Sequence, residues 1–244
     1  MDEAPLRRGQ PSVHIKYGVN TGILSGDVML IYAYEYLLQY ADAHLAKALL
    51  STFNKVAIEV CEGQQYDMNF ETQEEVPLDL YLKMIELKTA ALLGGAMKMG
   101  ALIGGASNAD AQHIEAFGRN IGIAFQLQDD ILDTFGDPEK FGKKVGGDIA
   151  QNKKTYLVLK TLEVADAPTQ TELRELMVRG SMAENEKIRK VTEIFERAGI
   201  RDLAEQKKED YLSVAFEHLT KVAVAENRKA ELVQLAHRLM VRMA

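Results

Sequence analysis

Three carboxylates lie close together in one apolar stretch: Asp129, Asp130 and Asp133, preceded by Phe125, Gln126, Leu127 and Gln128. On a helix, Asp129 and Asp133 are four residues apart and Asp130 and Asp133 three apart, so both pairs share a face. Like charges at that spacing repel and weaken the helix. A hard divalent cation offsets the cost. Mg²⁺ takes oxygen ligands, keeps several waters, and is held by one or two carboxylates together with substrate phosphates. The plainer reading is an acidic, solvated helix face, and the rest of the chain decides between the two.

Cations recur along the same chain. Arg7, Arg8 and Gly9 sit between Pro5 and Pro11, and arginine forks match phosphate oxygens in pairs. Lys88-Thr89 interrupts an apolar helical pattern, where a lysine either snorkels to the surface or reaches a phosphate inside a cavity. Lys143 and Lys153 occupy a glycine-bearing segment that could close over a phosphate or could be a surface turn. Glu62, Gln64 and Asp67 add a dense polar set. Carboxylates and cations along otherwise apolar helices suggest a cavity in which Mg²⁺ and cations hold a diphosphate and apolar walls hold a hydrocarbon.

The elements that must carry these residues read as helices throughout. The 244 residues are 47% apolar and 27% charged with only five prolines, an ordinary balance for a globular chain with long uninterrupted helices. The formal charge of −7 gives no broad basic surface for nucleic acid. A lone cysteine, Cys61, excludes an internal disulfide and suits a reducing compartment. No apolar run reaches the roughly 18 residues of a membrane span, and no signal peptide is evident, so the cytoplasm is the expected location.

The pattern predicts a buried helix from about residue 27 to Tyr40, whose stripe Tyr32, Tyr36, Tyr40 belongs to a core or a subunit interface. It predicts a second helix over about 43–69, one long helix over about 78–103, and a central helix over 108–134 stopped by Gly136-Asp137-Pro138. Glycines at 94, 95, 100, 104 and 105 point to close helix approach or a break near 104. A further helix runs to about Val164. Residues 165–244 read as packing helices without chemistry. No β alternation stands out.

With these residues in order, the sequence resembles the trans-isoprenyl diphosphate synthases, or polyprenyl synthetases. The resemblance rests on Gly122 to Asp133 as the second aspartate-rich motif, on Lys88-Thr89, on Glu62-Gly63-Gln64 with Asp67, and on Gly26-Asp27. It rests also on Phe141-Gly142-Lys143 and on Asp148 with Asn152-Lys153. It implies an all-α isoprenoid-synthase bundle around a central cavity, a single domain over 1–244. It implies a prenyl transfer from an allylic diphosphate to isopentenyl diphosphate through an allylic carbocation, giving a C15 or C20 product.

By the same resemblance three Mg²⁺ ions act, held by Asp129 and Asp133 with Asp130 in support and by Asp2. Arg7, Lys88, Lys143 and Lys153 would hold the allylic diphosphate, Arg8 the isopentenyl diphosphate, and Thr89 and Gln126 would line the cation site. A homodimer is expected. In the family the first aspartate-rich motif has two aspartates ahead of the segment that Met1 to Gly9 matches. The chain therefore resembles one lacking those aspartates and the helices before them, and is expected to turn over weakly or not at all. A class I terpenoid cyclase and a non-catalytic regulatory subunit of a synthase are the alternatives.

Overall fold

A computed structural model describes residues 4–7, 9–39, 42–137, 145–178, 180 and 182–240, which fall into two compact units, Met1–Ser51 and Thr52–Ala244. The expected Mg²⁺ ligand Asp2 and the expected diphosphate contacts Arg8 and Lys143 lie outside the described residues.

The first unit opens with a two-stranded hairpin that the sequence pattern had not signalled. β1 (Leu6–Arg7) pairs antiparallel with β2 (Gln10–Pro11), Arg7 opposite Gln10. Gly9 turns the chain at φ +75°, a conformation that disfavours any residue with a Cβ. The Ser12 hydroxyl donates to the Ala4 carbonyl at 2.9 Å and fastens the hairpin's base. α1 (Val13–Tyr17) and α2 (Val19–Gln39) follow.

α2 corrects one expectation: none of its residues is buried. Ile23, Leu24, Met29, Ile31, Tyr32 and Tyr36 are all more than half exposed. Its main packing partner, α1, has five residues against its 21, too few to cover it.

α3 (Ala43–Thr72) leads into the second unit. There follow α4 (Leu78–Ile85), a π-helical turn (Glu86–Ala90), α5 (Ala91–Ile103) and α6 (Asn108–Phe135). After them come α7 (Gly147–Ala150), α8 (Tyr156–Val164), α9 (Ala167–Leu176), α10 (Glu184–Arg197), α11 (Ile200–Thr220) and α12 (Glu226–Met240).

α6 is the axis of this unit. It starts where Ser107 accepts a hydrogen bond from the Asp110 N–H at 3.1 Å, a side-chain cap, and it stops at Gly136. Its most extensive neighbours are α11 and α5. Phe117, Ile121, Ala124 and Leu127 are fully buried and divide between two apolar clusters. Burying each large side chain contributes about 1.5–3 kcal/mol.

The long helix expected over 78–103 is interrupted by the π turn. The turn is closely packed: a Cβ on Gly63 of α3 would lie 2.3 Å from the Lys88 backbone nitrogen, and one on Gly122 of α6 would lie 2.6 Å from the Ala90 Cα. Two glycines thus let α3 and α6 close on the turn from different neighbours, a fit of backbone to backbone. α5 ends at Ile103, and the break near 104 is where the glycines had placed it.

Candidate diphosphate and metal site

The π turn carries Lys88 and Thr89, and such turns concentrate at functional positions. Lys88 Nζ lies 2.6 Å from Asp67 Oδ2, each side chain about one-third exposed (32% and 34%) and therefore open to an incoming anion. Thr89 Oγ1 donates to Gln126 Oε1 of α6 at 3.3 Å. The turn is therefore tied to α3 by charge and to α6 by a hydrogen bond.

The second half of the site comes from α6 and the segment after it. Asp133 Oδ2 accepts the Asp148 N–H at 2.9 Å, which holds the start of α7 against the end of α6. Lys153 Nζ lies 2.8 Å from Asp148 Oδ1. Burial pulls the Lys153 ammonium down, but the hydrogen bond and charge of Asp148, with the charges of Asp67 and Asp133, hold it above its ordinary value. Asp67 thus pairs with Lys88 and its charge also reaches Lys153, while Asp133 is joined to Lys153 through Asp148; Thr89 and Gln126 are joined to each other, and Asp129 lies on α6 with Asp133. Arg7 is exposed and belongs to the first unit.

Two segments outside the expected set place Lys153. Asn152 takes a left-handed φ of +58°, which asparagine tolerates better than most residues. Its Oδ1 accepts from the nearly buried Lys187 Nζ of α10. Lys154 Nζ donates to the Phe70 carbonyl of α3 at 2.6 Å. Similarly, the buried Lys208 of α11 donates to Gln128 Oε1 at 2.8 Å, one residue before Asp129. The C-terminal helices, read from sequence as packing alone, thus hold both ends of the site. The signal available was two lysines, 187 and 208, at otherwise core-facing positions.

The three aspartates of α6 have separate surroundings. Asp130 is 3% exposed and turned inward, its Oδ2 accepting from the Tyr81 hydroxyl at 2.5 Å and the Tyr156 N–H at 3.2 Å. Burial pushes its pKa up to about 7, against the lowering effect of the Tyr81 hydroxyl. Asp133 is raised by burial first, then by the charges of Asp148 and Asp129, with the Asp148 N–H acting in the opposite direction. Asp129 is partly exposed. Asp129 and Asp133 are thus the pair available to a cation, and Asp130 anchors their helix.

A testable consequence concerns Asp130. Its folded pKa stands above its unfolded value, so the native state keeps a proton that the unfolded chain loses. Stability from this group is full below about pH 4 and is lost as pH rises to about 7, by on the order of 4 kcal/mol. Asp130→Asn, melted in EDTA alongside the parent chain, is expected to gain on the parent across that window. A constant difference from pH 4 to 8 would contradict the assignment.

The donor set fits Mg²⁺. Among the described residues no three His, Cys, Asp or Glu side chains form a closed metal cage. Mg²⁺ needs no such cage, since it takes one or two carboxylates and completes its shell with phosphates and waters. Asp129 and Asp133 would supply the carboxylates, and Lys88 and Lys153 would meet the phosphates.

Comparisons with known proteins bear on the family and the fold. Residues 1–195 match the polyprenyl synthetase family model. The short chain isoprenyl diphosphate synthase of Methanothermobacter thermautotrophicus is 37% identical over 94% of this chain and 70% of its own. The geranylgeranyl diphosphate synthase of Sulfolobus acidocaldarius is 36% identical over 91% of this chain and 68% of its own. For the short chain isoprenyl diphosphate synthase of Methanocaldococcus jannaschii the share of the relative falls to 59%. A crystal structure of a geranylgeranyl pyrophosphate synthase superposes with a TM-score of 0.92 at 44% identity, over 100% of this chain and 75% of the other. A geranylgeranyl pyrophosphate synthase of Corynebacterium glutamicum, complexed with isoprenyl diphosphate and magnesium, gives 0.84 at 29%, over 99% and 73%. No helix among the described residues is long and apolar enough to cross a membrane. By the family model, by identity and by the all-α fold, the chain belongs to the polyprenyl synthetase family of prenyltransferases.

Proposed function

We propose that this chain binds an allylic diphosphate at the Asp129–Asp133 face of α6 and transfers its prenyl group to isopentenyl diphosphate, giving a short-chain product of C15 or C20. The observation that carries this reading is the geometry of Lys88 on Asp67 at 2.6 Å, Lys153 on Asp148 at 2.8 Å and the Asp148 N–H on Asp133 at 2.9 Å. Asp129 and Asp133 hold Mg²⁺, three ions being expected with diphosphate bound. When bound, Mg²⁺ supplies the positive charge that stabilises the leaving diphosphate.

The protein's own groups do the rest. Lys88 and Lys153 exchange Asp67 and Asp148 for diphosphate oxygens, replacing carboxylates by a more highly charged partner. Thr89 and Gln126 aim oxygen dipoles at the allylic carbon as it gains positive charge. By the resemblance, Arg7, Arg8 and Lys143 would contact the two diphosphates and Asp2 would add a carboxylate. The departing diphosphate takes the proton lost after the double bond of isopentenyl diphosphate attacks.

The uncovered apolar side chains of α2 support a homodimer, since an apolar patch of that extent marks an association surface.

The test is a transfer assay with labelled isopentenyl diphosphate and C5, C10 or C15 allylic partners, with enzyme stoichiometric to substrate. Elongated product is expected with Mg²⁺ and none with EDTA. Product that ignores EDTA, or that forms equally well after Asp129 and Asp133 are both changed to asparagine, would overturn the proposal.

A further inference from the structure

α6 and α11 make the most extensive helix contact of the second unit, and near one end of it two histidines meet. His113 stands in the second turn of α6 and His218 in the last turn of α11. Their Nδ1 atoms are 3.0 Å apart, the ring centroids 5.3 Å apart, and the rings tilted by 42°. Both side chains are partly exposed, so water and ions reach them.

We propose that His113 and His218 form a two-histidine site for a divalent transition-metal ion, separate from the aspartate site. An ion bonded to both nitrogens at about 2.0–2.1 Å would subtend roughly 95° across a 3.0 Å separation. That angle is near the cis angle of square-planar or octahedral complexes and narrower than the tetrahedral one. Imidazole nitrogen is a borderline-soft donor, so the site selects Cu²⁺ or Ni²⁺ first, Zn²⁺ after them, and excludes Mg²⁺.

The neighbouring acids do not join. Asp110 accepts from the Ser107 hydroxyl at 2.8 Å and the Ala223 N–H at 2.7 Å, and Glu217 pairs with Lys221 at 2.6 Å. Among the described residues no third His, Cys, Asp or Glu completes a cage. Two nitrogens and water therefore make up the coordination shell.

Without an ion, one Nδ1–H donates to the other Nδ1. When the ion enters, that ring moves its proton to Nε2, so both Nδ1 lone pairs face the metal and no net proton is released. The site lies 16 residues before Asp129 on the same helix, about 24 Å along its axis. Its occupation pins the start of α6 to the end of α11.

The test is titration of the EDTA-stripped, dialysed chain with Cu²⁺ and Ni²⁺ salts, read by visible d–d absorption and by melting temperature. The parent chain is expected to bind one ion and to melt higher with it. His113→Ala and His218→Ala each should lose that ion, whereas His237→Ala and the pair Asp129→Asn, Asp133→Asn should keep it. The milder His113→Asn and His218→Asn serve if the alanine variants fail to fold. An ion retained in both histidine variants, or lost in the aspartate pair, overturns the proposal. So does the absence of one-equivalent binding by the parent, which leaves the pair as an N–H···N hydrogen bond only.

Discussion

Exchanging Asp129 and Asp133 together for asparagine is expected to weaken Mg²⁺-dependent diphosphate binding by on the order of 100- to 10,000-fold. Two charged ligands are lost, and interactions with charged groups are worth about 1.5–3 kcal/mol each. The same exchange is expected to leave the protein equally or more stable. The two carboxylates are four apart on α6, and Asp133 already sits above its ordinary pKa through burial and then through its acidic neighbours Asp148 and Asp129. Asparagine keeps an oxygen for the Asp148 N–H, so the α6–α7 link survives. Better stability with lost binding is the signature of carboxylates kept for a ligand. Calorimetry with Mg²⁺ and inorganic diphosphate, beside a thermal melt, checks both halves. A variant that binds as well as the parent would show that the acidic face is merely solvated.

Adding a single methyl at Gly63 is expected to be as damaging as removing a core side chain. The new Cβ would stand 2.3 Å from the Lys88 nitrogen and 2.7 Å from its Cα, and neither is the end of a flexible side chain. Either α3 or the π turn must move, at a cost of about 1–3 kcal/mol or more. Moving the turn shifts Lys88 and Thr89, so Gly63→Ala should lose diphosphate affinity as well as stability. Gly122→Ala presses on Ala90 of the same turn, and the two costs should not add. Gly100→Ala is the control: nothing lies within 4 Å, and alanine there should stabilise α5 by up to about 1 kcal/mol. Urea unfolding of the three variants decides the matter, and a Gly63→Ala protein as stable as the Gly100→Ala one would contradict the close approach.

What the sequence made legible was local. The span of α6, read as 108–134 and observed as Asn108–Phe135, follows from its apolar period and its terminal Gly136. Lys88 and Thr89 stood out because polar residues broke an apolar run. The π turn beneath them did not, because the backbones packed against it, at Gly63 and Gly122, come from two other helices. Helical spacing put Asp130 beside Asp129 and Asp133. Its inward turn depends on Tyr81, 49 residues before it, and on the Tyr156 N–H, 26 residues after it. α2 was read as a buried helix belonging to a core or a subunit interface, and its residues are uncovered in this chain, since an apolar helix can as readily stand uncovered. Lys187 and Lys208 were missed because a charged residue in an amphipathic helix normally faces water. Only the fold shows that these two face Asn152 and Gln128.

The most direct measurement is a calorimetric titration of the parent chain with inorganic diphosphate, run once in Mg²⁺ and once in EDTA. Asp129 and Asp133 as cation ligands, with Lys88 and Lys153 as phosphate contacts, predict saturable binding in Mg²⁺ that nearly vanishes in EDTA. Equal affinity in the two buffers, or no binding in either, would contradict the assignment of this face of α6 to a metal-bound diphosphate.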